Sequence, residues 1–326
     1  MQTLVDNHGR TFPYLRLSLT EACNYSCTYC LPDGYRAEGR NRFLDGDEIA
    51  RLLRAFGDLG MSKLRLTGGE PSLRKDLPDI IRIAAGLPCI RQVALTTNGC
   101  RLPHLVEGWR EAGLTCLNVS LDSLDPERFR SITGHDRHQE VVAGIERAFE
   151  LGFTAVKVNV VLLRGTNDDE LPGWLEWIRG RDVSVRFIEL MRTGDNGEYF
   201  KRHHVRAATL VRQLEADGWR RKPRAHDAGP ALEYEHRNYR GRIGVIAPYA
   251  PDFCLTCNRL RVTARGDLRL CLFGHFGIPL RSLLQSDADR EALVKRIVGQ
   301  LGLKEEGHGL HQGLYGITPQ LASIGG

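Results

Sequence analysis

The strongest constraint on the fold is a sixfold alternation of short strand-type runs with stretches of helical periodicity. Runs rich in β-branched and aliphatic residues fall at 14–20, 63–67, 92–97, 116–121, 155–162 and 183–190. Between them apolar residues recur at three- and four-residue steps, the spacing of one helix face. Ile49, Leu52, Leu53, Phe56 and Leu59 form one such stripe. Val142, Ile145, Ala148 and Phe149 form a second, and Leu171, Trp174, Leu175 and Ile178 a third. Six β-then-α units in series predict parallel strands joined by right-handed crossovers.

The charges narrow this further. Parallel strands covered on both faces read as near-continuous apolar runs. Here Arg16 and Ser18 alternate with Leu15, Leu17 and Leu19; Lys63 and Arg65 alternate with Leu64 and Leu66. Lys157 and Asn159 alternate with valines, and Arg186 lies between Val185 and Phe187. Successive strand side chains point to opposite faces, so one face packs under helices and the other carries Arg16, Lys63, Arg65, Lys157 and Arg186. An open or closed barrel fits this better than a doubly wound sheet. Each enclosed cation costs several kcal/mol unless it is paired. Internal carboxylates such as Glu70 and Glu189 could pair some of them, but two acids cannot neutralise five bases. A polyanion in the lumen, such as a nucleoside triphosphate, would, since Arg and Lys are natural phosphate partners.

The rest of the composition excludes rather than selects. The net charge of the 326 residues is +5, but no long Lys/Arg run or aromatic-interleaved basic stretch marks a nucleic-acid binder. No run of 18 apolar residues is present, which speaks against a membrane span. The opening MQTLVDNHGRTF lacks the basic start and apolar core of a secretory signal, so a cytoplasmic location is expected.

Nine cysteines carry the chemistry. In a reducing compartment they are not expected to form disulfides. Cys89, Cys100 and Cys116 are scattered and read as small packing residues. The other six form two triplets, the clustering typical of metal ligands. Cys23, Cys27 and Cys30, in CNYSCTYC, follow the first strand, in the loop where barrel active sites form. Three thiolates can ligate three irons of a 4Fe–4S cluster and leave the fourth iron open, whereas most such clusters use four cysteines. A zinc site would want a fourth protein ligand, and no His lies nearby. Cys254, Cys257 and Cys271 form the second triplet, and from spacing alone His275 could complete a Cys3His zinc site.

The C-x3-C-x2-C spacing of the first triplet resembles the signature of the radical S-adenosylmethionine superfamily. The segment Thr67-Gly68-Gly69-Glu70 resembles its glycine-rich contact to the methionyl amine. Within that superfamily, Cys-Asn-Arg-Leu-Arg at 257–261 and Gly266 before Cys271 resemble the GTP 3′,8-cyclase family of molybdenum-cofactor synthesis. So do RLSLTEACNYSCTYCLP, KLRLTGGEPSLRKDL, LTTNG, NVSLDSLDPERF, KVNVVLLRGTNDDE, VRFIELM and the terminal Ser-Ile-Gly-Gly, in the same order along the chain. Glu21-Ala22 departs from the Asp-Arg that many members carry there.

The resemblance implies an incomplete (β/α)6 TIM-like barrel over residues 1–220. A smaller C-terminal α+β region, 221–326, follows, with 220–230 as connector. The C-terminal region has strand-like runs in ALEYEH, GRIGVIAP, RLRVTA and DLRLCLF. The resemblance further implies two 4Fe–4S clusters with three cysteines each, the second binding the guanine end of the substrate. S-Adenosylmethionine would be positioned by Tyr29, Gly69, Ser120 and Met191. GTP would be bound by Arg16, Arg65, Thr96, Lys157, Arg259, Leu260 and Arg261, with phosphate charge from Lys63 and Arg186. Gly325 and Gly326 would form a tail that enters the active site and is needed for turnover. The implied reaction removes the ribose 3′ hydrogen with a 5′-deoxyadenosyl radical, joins C3′ to guanine C8, and ends in reduction to 3′,8-cyclo-7,8-dihydro-GTP. The implied partners are a flavodoxin or ferredoxin as electron donor and cyclic pyranopterin monophosphate synthase as acceptor of the product, and a homodimer is compatible. The rivals are a radical peptide-modifying maturase with an auxiliary cluster and a zinc protein that binds nucleic acid.

Overall fold

Each of the six strand-type runs is a strand. In the computed structural model, which describes residues 3–37, 43–225 and 228–325, these are β1 (Tyr14–Ser18), β2 (Lys63–Thr67), β3 (Gln92–Thr97), β4 (Cys116–Ser120), β5 (Ala155–Leu162) and β6 (Ser184–Glu189). They pair side by side, in order and in parallel. The crossover helices include α1 (Gly46–Asp58), α2 (Leu77–Ala85), α3 (Leu102–Glu111), α4 (Pro126–Thr133), α5 (His138–Glu150) and α6 (Leu171–Ile178). α1 begins at a capping box, in which Asp45 accepts from the Glu48 amide and Glu48 accepts from the Asp45 amide. After β6 come α7 (Gly197–His203) and α8 (Ala207–Ala216).

The C-terminal region does not form a separate sheet. Its strands are β7 (Arg220–Arg221), β8 (Leu232–Glu235), β9 (Arg242–Ile246), β10 (Arg259–Val262), β11 (Asp267–Arg269) and β12 (Ile278–Pro279). β9 pairs in parallel with β6, and β10 in parallel with β1. The result is one open twelve-stranded sheet, with β10 to β12 beyond one edge of the barrel strands and β7 to β9 beyond the other. Arg220 and Arg221, read from sequence as connector, pair with β8. The sequence reading also left out α9 (Arg290–Gln300), which packs on α1; Arg290 there forms a two-pronged pair with Asp58 at 2.7 and 2.6 Å.

The two faces of the barrel strands divide as their alternation requires. Leu15, Leu17, Leu64, Leu66, Val93, Leu95, Leu117, Val119, Val156, Val158, Val160, Val185 and Phe187 join the helices in one continuous core. Cys116 is buried, and Cys89 and Cys100 are half-buried against that core. Trp174 of α6 is fully buried edge-on against Trp177 and Phe187, at 5.6 and 6.5 Å between ring centroids. Replacing Trp174 by Ala is expected to cost about 3–5 kcal/mol, as for other large-to-small aromatic changes; denaturant unfolding of the variant against the parent reads this directly.

Candidate active site

The opposite face of the strands lines an internal cavity. Arg16, Lys63, Arg65, Lys157 and Arg186 all reach it, as do Arg259 and Arg261 from β10. The described residues that line it include these seven cations and no Asp or Glu. Neither carboxylate considered at the sequence level neutralises them. Glu70 accepts from the Ser72 and Asn98 amides and the Thr97 hydroxyl, at 2.9, 2.6 and 2.8 Å. Glu189 is held by His204 Nε2 at 2.8 Å and the Ala207 amide at 3.2 Å. One acid from outside the barrel strands does intervene: Glu233 of β8 accepts from Arg186 Nη2 and Nε at 2.6 and 3.0 Å. The crowding shows in the proton affinities. Burial, helped by Arg186 and Arg65, lowers Lys157 to about 7. Burial, with Arg16 and Arg259 beside it, brings Arg261 well below its ordinary value.

Topology brings each cysteine triplet to one end of this lumen. The first follows the C-terminal end of β1 and faces a cavity also lined by Tyr29, Gly69, Ser120 and Met191. The second is assembled by a hairpin. Cys254 and Cys257 lie just before β10, whose first residue, Arg259, is level with Tyr14 at the start of β1. β11 runs back antiparallel to β10, which returns Cys271 to the same end, and all three thiols line the cation cavity. The two cavities adjoin at Thr96, Asn159, Ile188 and Met191, which line both, and together they lie along the passage between the triplets.

The donor sets suit clusters. Burial pushes the Cys23 thiol to about 11 and Cys30 to about 12, and Cys27 well above its ordinary value. Such thiols ionise readily only against bound metal. At Cys257 burial is overcome by Arg259 and Lys304, which bring it down to about 7. His275, the sequence candidate for a fourth donor, is exposed; the histidine beside the second triplet is His308.

Glycines shape the first site. A Cβ on Gly69 would lie 2.2 Å from the Ala22 carbonyl oxygen, and one on Gly68, whose φ is +141°, 2.3 Å from that of Thr20. The loop carrying the cysteines is thereby pressed against the end of β2. Glu21-Ala22 keeps that packing, because it uses the Ala22 carbonyl, which accepts from the Glu70 amide at 2.7 Å. The Glu21 side chain instead forms a two-pronged pair with Arg265 of the β10–β11 turn, at 2.9 and 2.7 Å.

The tail enters the same passage. The Gly325 carbonyl accepts from Arg16 Nη2 at 2.7 Å and Arg261 Nη1 at 3.1 Å. The amides of Ala322 and Leu321 donate to the Cys30 sulfur. Gly326 lies outside the described residues. Leu260 is the one expected substrate contact whose side chain is elsewhere: it alternates with Arg259 and Arg261 and is buried in the core. Sequence reasoning missed Tyr14, Asn118, Asp122, Phe253 and His308. Tyr14 and Asn118 share the inward alternation of Arg16 and Ser120, a signal that was available. Asn118 Oδ1 is buried without a partner against the cavity. Asp122 accepts from the Tyr29 hydroxyl at 2.9 Å.

Comparison with known proteins agrees with this geometry. Residues 17–178 match the model of the Radical SAM superfamily, and residues 183–310 that of Molybdenum Cofactor Synthesis C. A GTP 3′,8-cyclase of Stenotrophomonas maltophilia (strain K279a) is 66% identical over 326 residues, covering 100% of both chains. The chain belongs to the GTP 3′,8-cyclase family. Members from Vibrio parahaemolyticus and Yersinia pestis are 54% and 52% identical, each covering 100% of this chain and 98% and 100% of their own. Among solved structures, Streptococcus suis SuiB bound to S-adenosylmethionine superposes with a TM-score of 0.57 at 15% identity, over 90% of this chain and 67% of that one; this likeness speaks for the fold alone. As a family member the chain is a radical S-adenosylmethionine enzyme with two 4Fe–4S clusters.

Gly69→Ala forces backbone against backbone. Overpacking of this kind costs about 1–3 kcal/mol, so S-adenosylmethionine binding, followed by equilibrium dialysis, is expected to weaken about tenfold or more. Replacing Cys254, Cys257 and Cys271 together by Ala is expected to halve iron content, from about eight to about four per chain, on metal analysis of reconstituted protein.

Proposed function

We propose that the passage converts GTP to 3′,8-cyclo-7,8-dihydro-GTP, with S-adenosylmethionine at the Cys23–Cys27–Cys30 end and guanine at the Cys254–Cys257–Cys271 end. The observation that carries this reading is a pair of adjoining cavities with an incomplete thiolate set at each outer end and seven cations between them. When bound, the first cluster and S-adenosylmethionine supply the electron and the carbon radical that removes the ribose 3′ hydrogen. The protein's own part is binding, orientation and exclusion of water.

In this reading Tyr29, Gly69, Ser120 and Met191 hold S-adenosylmethionine, with Asp122 fixing the Tyr29 hydroxyl. Lys63, Arg65 and Lys157 hold the triphosphate, and Thr96 the region where the two ligands meet. Arg186 contributes less phosphate charge than the others, since Glu233 already occupies its guanidinium. Arg16, Arg259 and Arg261 border the second cluster. Clamping both ends of the nucleotide holds C3′ against C8, a proximity effect worth many powers of ten when geometry is right. Gly325 keeps Arg16 and Arg261 aimed across the passage. The division near residue 220 is one of labour: residues 1–220 hold S-adenosylmethionine and the triphosphate, and 221–326 close the open mouth and carry the second cluster. Electrons come from a flavodoxin or ferredoxin in the cytoplasm, and the product passes to cyclic pyranopterin monophosphate synthase. No helix among the described residues is long and apolar enough to cross a membrane.

The test is an anaerobic assay of reconstituted protein with S-adenosylmethionine and reductant, with and without GTP. GTP-dependent 5′-deoxyadenosine together with a cyclised guanosine product is expected; 5′-deoxyadenosine formed equally without GTP would sink the assignment. Arg261→Ala removes a charged hydrogen-bond donor, a loss of about 1.5–3 kcal/mol. GTP affinity should fall roughly 10- to 100-fold with iron content unchanged.

A further inference from the structure

Tyr14 opens β1, is buried, and lines the cation cavity. Its hydroxyl oxygen accepts from Arg65 Nε and also bonds the Arg16 guanidinium. Lys63 Nζ stands 5.1 Å from its ring centroid. Among the described residues, the charged side chains around it are Arg16 on its own strand, Lys63 and Arg65 on β2, and Arg259 and Arg261 on β10, with Lys157 and Arg186 across the lumen. Glu233, the acid that reaches Arg186, is held by that residue and by Ser184. The thiols of the second cluster and the imidazole of His308 form a further wall. Apart from those thiols, Tyr14 is the one described residue lining the cavity that can carry negative charge.

We propose that Tyr14 is the resident acceptor of the cation cradle: its oxygen holds Arg65 and Arg16 in place before nucleotide arrives and takes up a proton when a nucleoside triphosphate binds. This rests on the reading of the cradle as the triphosphate site. The physical cause is competition for one electrostatic field. Burial pushes the Tyr14 phenol up, but Arg65, Arg16 and Lys63 overcome it and bring it down to about 7. A triphosphate placed among the same cations cancels the potential that favoured the phenolate. One proton from the medium then forms the O–H bond, and no bond of the nucleotide breaks. Arg65 keeps its hydrogen bond to Thr96 Oγ1 at 3.1 Å and turns its remaining N–H groups to phosphate.

The sign follows by linkage. Below about pH 7 the phenol already carries its proton and adds no slope to GTP affinity. Above it, each binding event must take up that proton, so this contribution weakens affinity by about tenfold per pH unit. Lys157, also near 7 before nucleotide binds, acts in the same direction, because a phosphate favours its charged form. Single variants therefore separate the two where a pH slope alone does not.

The experiment is calorimetric titration of the anaerobic holoenzyme with GTP near pH 8, in buffers of different ionisation enthalpy, for the parent and Y14F at matched iron content. About one proton fewer per GTP is expected for Y14F; equal proton counts would overturn the proposal. A second measurement needs no variant. Inorganic tripolyphosphate, which is transparent in the near ultraviolet, should abolish the phenolate absorbance of about one tyrosine in the parent holoenzyme; an unchanged difference spectrum would overturn the proposal as well. K157M and R65A separate this idea from its foundation. If both kept full GTP affinity, the cradle would not be the triphosphate site. If they lost affinity while Y14F kept the parent's proton count, only the role of Tyr14 would fall.

Discussion

The structure depends on like charges held together in a closed space. The sheet register sets Arg16 level with Arg65 on one side and Arg261 on the other. Neighbouring strands lie about 4.8 Å apart, and unit charges at that spacing repel by a few kcal/mol even at an effective dielectric of about 20. Among the described residues, Tyr14 and the Gly325 carbonyl offer oxygens to this row, while Glu233 pairs with Arg186. The barrel tolerates the arrangement because the same strands bury a continuous aliphatic layer on their other face. The stability of the outer layer thus permits an inner surface that is strongly unfavourable until an anion enters it.

The C-terminal region completes this surface rather than adding a second module. By pairing β10 with β1 it adds Arg259 and Arg261 to the same row as Tyr14 and Arg16. By pairing β9 with β6 it brings Glu233 of β8 beside Arg186. A hairpin of two short strands suffices to gather the second thiol set, because antiparallel return places Cys271 where the chain left Cys257. The pair between Glu21 and Arg265 then ties the β10–β11 turn to the loop of the first thiol set. Both ends of the passage are therefore referenced to a single strand, β1.

What the sequence made legible was whatever repeats with a fixed period. The boundaries of the six barrel strands agreed with the structure to within two residues, whereas the run DLRLCLF overshot β11 by four, and the inward cations followed from period-two alternation. The thiol sets were legible because ligand spacing is local. Long-range facts were not. Nothing local says that 242–246 and 259–262 pair with the two outer strands of the barrel, or that Glu233 lies opposite Arg186. His308 stands 37 positions after Cys271, beyond any spacing rule, whereas His275 lies close in sequence and faces solvent. At Leu260 alternation sends the side chain to the opposite face from Arg259 and Arg261, so only its backbone borders the row they form. α9 has only a weak apolar stripe, with Leu293 and Ile297 as its buried residues, so its periodicity did not stand out.

The tail is where these constraints meet. Its backbone donates to the Cys30 sulfur through Leu321 and Ala322 and, three residues on, accepts from Arg16 and Arg261 through the Gly325 carbonyl. Gly325 has a φ of +64°, and a Cβ there would lie 2.3 Å from Thr67 Cγ2, so the turn admits only glycine without displacing the end of β2. That end carries Gly68 and Gly69, against which the loop of the first thiol set is packed. A backbone carbonyl is also the right group for the position. It is a strong acceptor for two guanidiniums but has no net charge, so it orients them without cancelling the potential that draws in a polyanion. A carboxylate at the same point would neutralise the cradle. The same reasoning separates the tail from Tyr14: the carbonyl offers a fixed dipole, while the phenol offers a charge that a proton can remove.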